Sequence, residues 1–259
     1  MVSRPHILIS NDDGIHAPGI AALSAMLRTI GDVTVVAPEG ARSGASSQIT
    51  SSLPLKLTKM EEEEGYRVYR CTGTPADCVK LALNVLFSKE CRPDLVVTGI
   101  NHGRNDGICV VYSGTVGAAL EGCIAGIPSL AVSVNDHGDD AEMRYAVAYT
   151  ESLVRWMLSN KIPTHTMLSL NLPSTAPLGF KVAPQAVGRF RDEFLESTNG
   201  SGGRVYWMVG SQVKTEDEPN TDWDLLEEGY ATLTPIRIDM TDRDFLPHLY
   251  EAFRNGLPQ

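Results

Sequence analysis

The stretch His6-Ile7-Leu8-Ile9-Ser10-Asn11-Asp12-Asp13-Gly14 decides the fold class. Its apolar run reads as a short, buried parallel strand. Two adjacent carboxylates follow, and Ala17-Pro18-Gly19-Ile20 then offers a helix start. A strand that passes through an acidic turn into a helix places Asp12 and Asp13 at the strand's carboxyl end. In open α/β sheets that edge binds ligands. Side-by-side anions repel, and a cation between them is the simplest relief. Taken alone, the same residues also describe a polar turn with an Asp capping the next helix.

The alternation continues outward from this unit. Apolar positions at helical spacing over 18–29 precede Val33-Thr34-Val35-Val36-Ala37, a β-branched second strand. Weaker strands are predicted at 54–58 and 66–70, with the acidic run Glu61–Glu64 as a solvated hairpin tip. Thr74-Pro75-Ala76-Asp77 is a helix start, with Thr at N-cap, Pro at N1 and an acid at N3. A buried strand at 94–99, a small-residue helix at 115–125, a strand at 129–134 and an amphipathic helix at 140–158 follow. Residues 167–172 read as the last core strand. This order predicts an α/β fold, a mostly parallel sheet with helices on both faces.

The texture changes after about residue 175, which divides a catalytic core (1–175) from a C-terminal region (176–259). Residues 180–235 are polar, interrupted by Gly200-Ser201-Gly202-Gly203, and carry strand-like pieces at 204–209 and 230–234. They suit an extended hairpin region that packs on a partner subunit. Residues 241–255 read as a closing helix.

Composition narrows the function classes. With 22 Lys and Arg against 32 Asp and Glu, the net charge is -10. Such a surface argues against duplex nucleic-acid binding, which needs clustered cations. A phosphorylated substrate would need local help from a metal or from backbone amides. The five cysteines, Cys71, Cys78, Cys91, Cys109 and Cys123, lack paired metal spacing and read as free thiols. Cys78 and Cys123 fall in apolar helical patterns and read as small buried hydrophobes. No signal-peptide core precedes the first strand, and no window approaches the ~18 apolar residues of a membrane span. A soluble, cytoplasmic protein is expected.

Three further segments follow strands of the same predicted sheet. The second strand ends in Ala37-Pro38-Glu39-Gly40-Ala41-Arg42-Ser43-Gly44-Ala45-Ser46-Ser47. This is either a surface loop or a source of an oxygen ligand from Ser43 and a phosphate contact from Arg42. Asn101-His102-Gly103-Arg104-Asn105 is either a turn or a source of an amide oxygen for a metal (Asn101) and an amide donor for a phosphate (Asn105). Ser113-Gly114-Thr115 at a helix start is either ordinary N-capping or an anion cradle. All candidate ligands are oxygens, which favours magnesium, manganese or calcium. His16 and His102 lie near these loops; His6, His137, His165 and His248 lack such context. Trp156, Trp207 and Trp223 read as packing residues.

At these residues the chain closely resembles the SurE family of stationary-phase survival proteins, metal-dependent 5′-nucleotidases. The matching stretches are SNDDGIHAPGI (10–20), VVAPEGARSGASSQIT (35–50), GTPADCV (73–79), VVTGIN (96–101) and YSGTVGAALEG (112–122). Weaker similarity continues through YW (206–207), TDW (221–223) and EEGYATLTPI (227–236). The resemblance implies a Rossmann-like core with a β-hairpin extension used for oligomerisation, as a homodimer or homotetramer. It implies one divalent ion per subunit, held by Asp12, Asp13, Ser43 and Asn101. Asn105 and Ser113-Gly114-Thr115 would hold the phosphate. The loop GRNDGICVV at 103–111 departs from the family's usual Gly-Pro-Asn-led version, and residues 184–203 show little family character.

The function expected is hydrolysis of nucleoside 5′-monophosphates by a metal-activated water, with Asp12, Asp13 and Asn101 as catalytic residues. By resemblance, 3′-nucleotides and short polyphosphate are further substrates. One rival is a phosphatase with a covalent aspartyl-phosphate, although these loops lack its lysine and its acid two residues on. A second is a nucleotide sensor that binds without turnover. A dinucleotide dehydrogenase is disfavoured, because Asn11 to Gly19 lacks closely spaced glycines.

Overall fold

The computed structural model describes residues 4–136, 143–254 and 256–257. The first strand, β1 (His6–Ser10), is buried from Ile7 onward, as the apolar run predicts. Pro18 opens helix α1 (Pro18–Leu27) from an extended Ala17. The chain returns as β2 (Asp32–Pro38), then makes a hairpin of β3 (Leu57–Glu63) and β4 (Tyr66–Cys71). Helix α2 (Pro75–Val85) begins with the expected capping box, in which Thr74 and Asp77 satisfy each other's backbone amides. Next come β5 (Leu95–His102), the short α3 (Cys109–Tyr112), α4 (Gly114–Ile124) and β6 (Ser129–Val134). Helix α5 (Met143–Ser159) and β7 (Thr166–Leu172) complete this half of the chain. His137 and the predicted start of the amphipathic helix at 140 lie outside the described residues.

β4, β2, β1, β5, β6 and β7 lie side by side in that order and are all parallel. The strand order reverses between β1 and β5, so the loops after these two strands diverge and leave a crevice. Helices α1 and α5 pack on one face, over Ile7, Ile9, Val97 and Leu170; α2 and Ala118 of α4 cover Leu8, Val36 and Val96 on the other. Cys71, Cys78 and Cys123 are buried, and all five cysteines are free thiols.

The second half both extends the sheet and leaves it. β8 (Phe180–Val182) is followed by β9 (Gly188–Arg191), β10 (Phe194–Thr198), β11 (Arg204–Met208) and β12 (Ser211–Lys214). β9 pairs with β12 and β10 with β11, both antiparallel, which builds an extended two-stranded arm. The Gly-Ser run makes its tip, where the Asn199 carboxamide oxygen accepts from the amides of Ser201 and Gly203. After α6 (Asp222–Glu227), β13 (Ala231–Arg237) pairs antiparallel with β7 and parallel with β8. The chain then makes α7 (Leu246–Ala252).

Several expectations need correction. β7 is not the last core strand: residues 231–237 join the sheet beside it, because Ala231, Leu233 and Ile236 have an apolar face to bury. The strand placed at 54–58 spans 57–63, and Glu61–Glu63 belong to it; only Glu64-Gly65 turns. Their exposure on an unpaired sheet edge removes the alternation that marks a strand, and charge there discourages further pairing. Trp156 and Trp207 are about half or more exposed (49% and 64%), so they do not pack in this chain. The closing helix is shorter than expected and buries no residue.

Candidate active site

Each site residue lies on an element whose own chemistry fixes it. Asp12 and Asp13 follow β1, where Asn11 turns the chain by donating from its amide to the Gly14 carbonyl at 2.9 Å. Gly14 has a φ of +100°, and a Cβ there would meet Gly40 at 3.1 Å, so the acidic turn and the β2 loop approach backbone to backbone. The Arg42 amide donates to the Asp12 carbonyl at 2.7 Å, which places Ser43 beside the acid pair. Further along, the Ser46 amide donates to the Tyr112 carbonyl at 3.0 Å, tying the loop to the start of α4.

From the other side of the crevice, β5 delivers Asn101 and His102. The His102 amide donates to Asp13 Oδ2 at 3.2 Å. The Asn101 amide nitrogen donates to the Gly103 carbonyl at 2.8 Å, which commits its donor end and leaves Oδ1 as an acceptor. Helix α4 supplies the third wall. Thr115 donates its hydroxyl to Asp12 Oδ1, and a Cβ on Gly114 would lie 2.9 Å from the Asp12 Cβ. Ser113 accepts from the Val116 amide at 3.1 Å, an ordinary N-cap. Asn105 is buried, held by Asn171 at its amide and by Ser133 at its side chain, both at 2.8 Å.

The structure therefore joins Asp12 and Asp13 to the loop of Ser43, to β5 at Asn101-His102 and to the helix start at Gly114-Thr115, while Asn105 is anchored to β6 and β7 and Ser113 caps α4. It separates their surroundings. Asp12 is 5% exposed, whereas Ser43 is open to solvent. Burial, reinforced by the charge of Asp13, pushes the Asp12 carboxyl up to about 6 despite the Thr115 hydrogen bond. Neither carboxylate has a Lys or Arg partner among the described residues. A carboxylate pair with no protein counter-charge, a free amide oxygen and a hydroxyl form a hard-oxygen donor set that fits a divalent ion. Among the described residues no three His, Cys, Asp or Glu side chains gather into a metal cluster, so the set depends on the neutral oxygens of Ser43 and Asn101.

The family model described as survival protein SurE matches residues 7–192. The chain belongs to the SurE family. It is 52% identical over 251 residues to the 5′-nucleotidase SurE of Porphyromonas gingivalis, covering 97% of each chain. To the protein of that name from Bacteroides thetaiotaomicron it is 41% identical, covering 95% of each. The crystal structure of the SurE protein from Aquifex aeolicus matches with a TM-score of 0.81 at 33% identity, over 96% of this chain and 99% of that one.

Against this SurE frame, sequence reasoning missed the residues that hold the site residues. Asn171 and Ser133 sit at the ends of β7 and β6, and their polarity inside apolar strands was the available signal. It also missed how the loop after β5 is gripped. Arg104 bonds Asp106 twice, at 2.6 and 2.5 Å, reaches Glu227 and lies over Trp223. Asp222 accepts from the Gly107 amide at 3.0 Å and the Ala186 amide at 2.8 Å. No local pattern announces contacts that span more than a hundred residues.

Proposed function

We propose that this chain is a 5′-nucleotidase that hydrolyses nucleoside monophosphates with one divalent ion per subunit. Its close relatives carry that name, and the observation that carries the metal reading is the adjacent Asp12–Asp13 pair, the first buried and neither with a cationic partner among the described residues, beside the Ser43 loop and the end of β5. Asp12, Asp13, Ser43 and Asn101 would hold the ion. When bound, magnesium or manganese supplies Lewis-acid stabilisation of phosphoryl charge and makes water acidic enough to attack near neutral pH.

The chain's own residues orient the reaction. Asp13 is half-exposed and the better placed of the two acids to accept a proton from the attacking water. Asp12, fixed by Thr115, keeps its charge where the ion is needed. Asn105 and the Ser113-Gly114-Thr115 turn, through the free amides of Gly114 and Thr115, meet the phosphoryl oxygens as charge builds; the Ser113 amide is already given to the Cys109 carbonyl. The neutral Asn105 and these amides spare the site a strong cation, consistent with broad substrate use that includes 3′-nucleotides and short polyphosphate. We also read the protein as cytoplasmic and self-associating, as a homodimer or homotetramer. The arm supports this, because Leu195, Tyr206, Trp207 and Met208 are each more than half exposed. No helix among the described residues is long and apolar enough to cross a membrane.

Phosphate release from AMP and GMP, measured in EDTA and after adding manganese or magnesium, tests the reading. Activity restored by metal and abolished in Asp12→Asn and Asn101→Ala supports it. A folded protein that binds AMP but releases no phosphate with any metal leaves the sensor reading instead.

A further inference from the structure

Next to Ser43 a cleft of about 670 Å³ opens away from the acid pair. One wall is the segment after Arg42, the other the turn Thr72-Gly73-Thr74. Two cations, Arg42 and Lys56, line it, and no Asp or Glu does, in a protein of net charge -10. Neither cation is in an ion pair among the described residues; the Arg42 guanidinium makes one long contact, 3.5 Å, to the Thr72 carbonyl.

The cleft is built, not merely open. Asp77, buried behind it, accepts from the Thr50 amide at 2.9 Å, the Thr50 hydroxyl at 2.6 Å and the Thr74 amide at 2.9 Å. The Thr74 hydroxyl donates to the Gln48 carbonyl at 2.5 Å. The Lys56 amide is fixed by the Thr72 hydroxyl at 3.0 Å. These bonds lock both walls to the start of α2, so the backbone that carries the two cations is set before any ligand arrives. Leu53 and Leu55 add an apolar strip, and Gln48 a neutral donor and acceptor.

We propose that this cleft is a second anion site, one that seats an additional phosphate carried by the leaving nucleoside. It rests on the phosphatase reading above. The phosphoryl group to be cleaved lies against Asp12 and α4. A phosphate on the far side of the ribose then reaches Lys56 and Arg42 past Ser43, while the base lies along Leu53 and Leu55. The substrate class selected is the nucleoside 3′,5′-bisphosphates, which the -10 surface would otherwise repel.

The test compares adenosine 3′,5′-bisphosphate with 5′-AMP, as kcat/KM with manganese and as calorimetric affinity for the metal-loaded protein without turnover, using calcium in place of manganese. Wild type is expected to favour the bisphosphate by roughly tenfold or more, the scale of one charged hydrogen bond. Lys56→Gln, an exposed substitution, brings the ratio close to one, Lys56→Arg restores it, and raising the salt compresses it in wild type. Equal use of both ligands by wild type overturns the proposal, as does a preference that Lys56→Gln leaves intact. Tripolyphosphate serves as a third ligand. A Lys56→Gln loss confined to it also overturns the bisphosphate assignment. If no ligand is turned over, the phosphatase reading falls, and the calorimetric ratio still decides whether the second anion site exists.

Discussion

The guanidinium of Arg104 lies over the indole of Trp223, 4.5 Å from the ring centroid, and joins the loop after β5 to helix α6. Asp106, fully buried, takes two of its hydrogen bonds and Glu227 another. Asn105 stands between Arg104 and Asp106, so this contact steadies the residue proposed to meet the phosphate.

Arg104→Ala leaves Asp106 buried without its counter-charge. A loss of about 3–5 kcal/mol is expected, read by urea unfolding. Arg104→Lys should recover little of it, since an ammonium neither stacks on the indole nor forks onto the carboxylate. A lysine variant as stable as wild type would show that charge alone, without the planar fork, holds the loop.

Metal-free stability should depend on pH through Asp12. Its folded carboxyl titrates near 6, above its ordinary value of 3.8, so the folded state holds the proton more tightly. Stability therefore falls as pH rises through this window, by about 3 kcal/mol, and the cost is complete above it. Thermal unfolding in EDTA at pH 5 and pH 7.5 checks this, reading about half of that cost, about 1.4 kcal/mol, with Asp12→Asn flattening the difference. Manganese should raise the Tm more at pH 7.5 than at pH 5. A metal shift that is equal at both would dissociate the ion from Asp12.

Thr115→Val keeps shape but removes the hydroxyl that Asp12 accepts from. That bond favours the charged carboxylate, so its loss moves the Asp12 titration upward. The acid limb of the kcat/KM profile should shift to higher pH, with activity at pH 6 reduced roughly tenfold, as one lost charged hydrogen bond implies. An unchanged limb would assign it to another group.

Gly114→Ala should damage the site more than the fold. The added methyl would stand 2.9 Å from the Asp12 Cβ and 3.0 Å from its Oδ2. Overpacking of this kind costs about 1–3 kcal/mol, while displacement of Asp12 removes metal-dependent phosphate release. Retained turnover with full metal affinity would mean that Asp12 can be moved without consequence.

Much of this architecture is legible along the chain wherever a segment's pattern and its environment agree. Ile7–Ile9 is apolar and buried on both faces, and Thr74-Pro75-Ala76-Asp77 carries its own capping bonds, so strand and helix start fall where expected. Asp12, Asp13 and Ser43 stand out because they follow β1 and β2 at the same sheet edge, whereas Asn101 ends β5 and Ser113-Gly114-Thr115 follow the short helix α3. β3 was misplaced because an exposed edge strand needs no apolar alternation. β13 reads as part of the hairpin region because its partner, β7, lies 61 to 71 residues back and leaves no local mark. Asn171, Ser133 and the Arg104–Glu227 link share that reason: their purpose exists only after the sheet is assembled.

The reach of Arg104 to a partner 123 positions later also ties the site to the clock of protein synthesis. The acid pair, Ser43 and Asn101 leave the ribosome early, but the carboxylate that secures the neighbouring loop follows only after a further 123 residues. At ordinary elongation rates that interval is roughly 6–25 s. A half-made chain thus carries the acid pair without the grip that would steady the neighbouring loop, and the enzyme comes of age only when helix α6 is delivered.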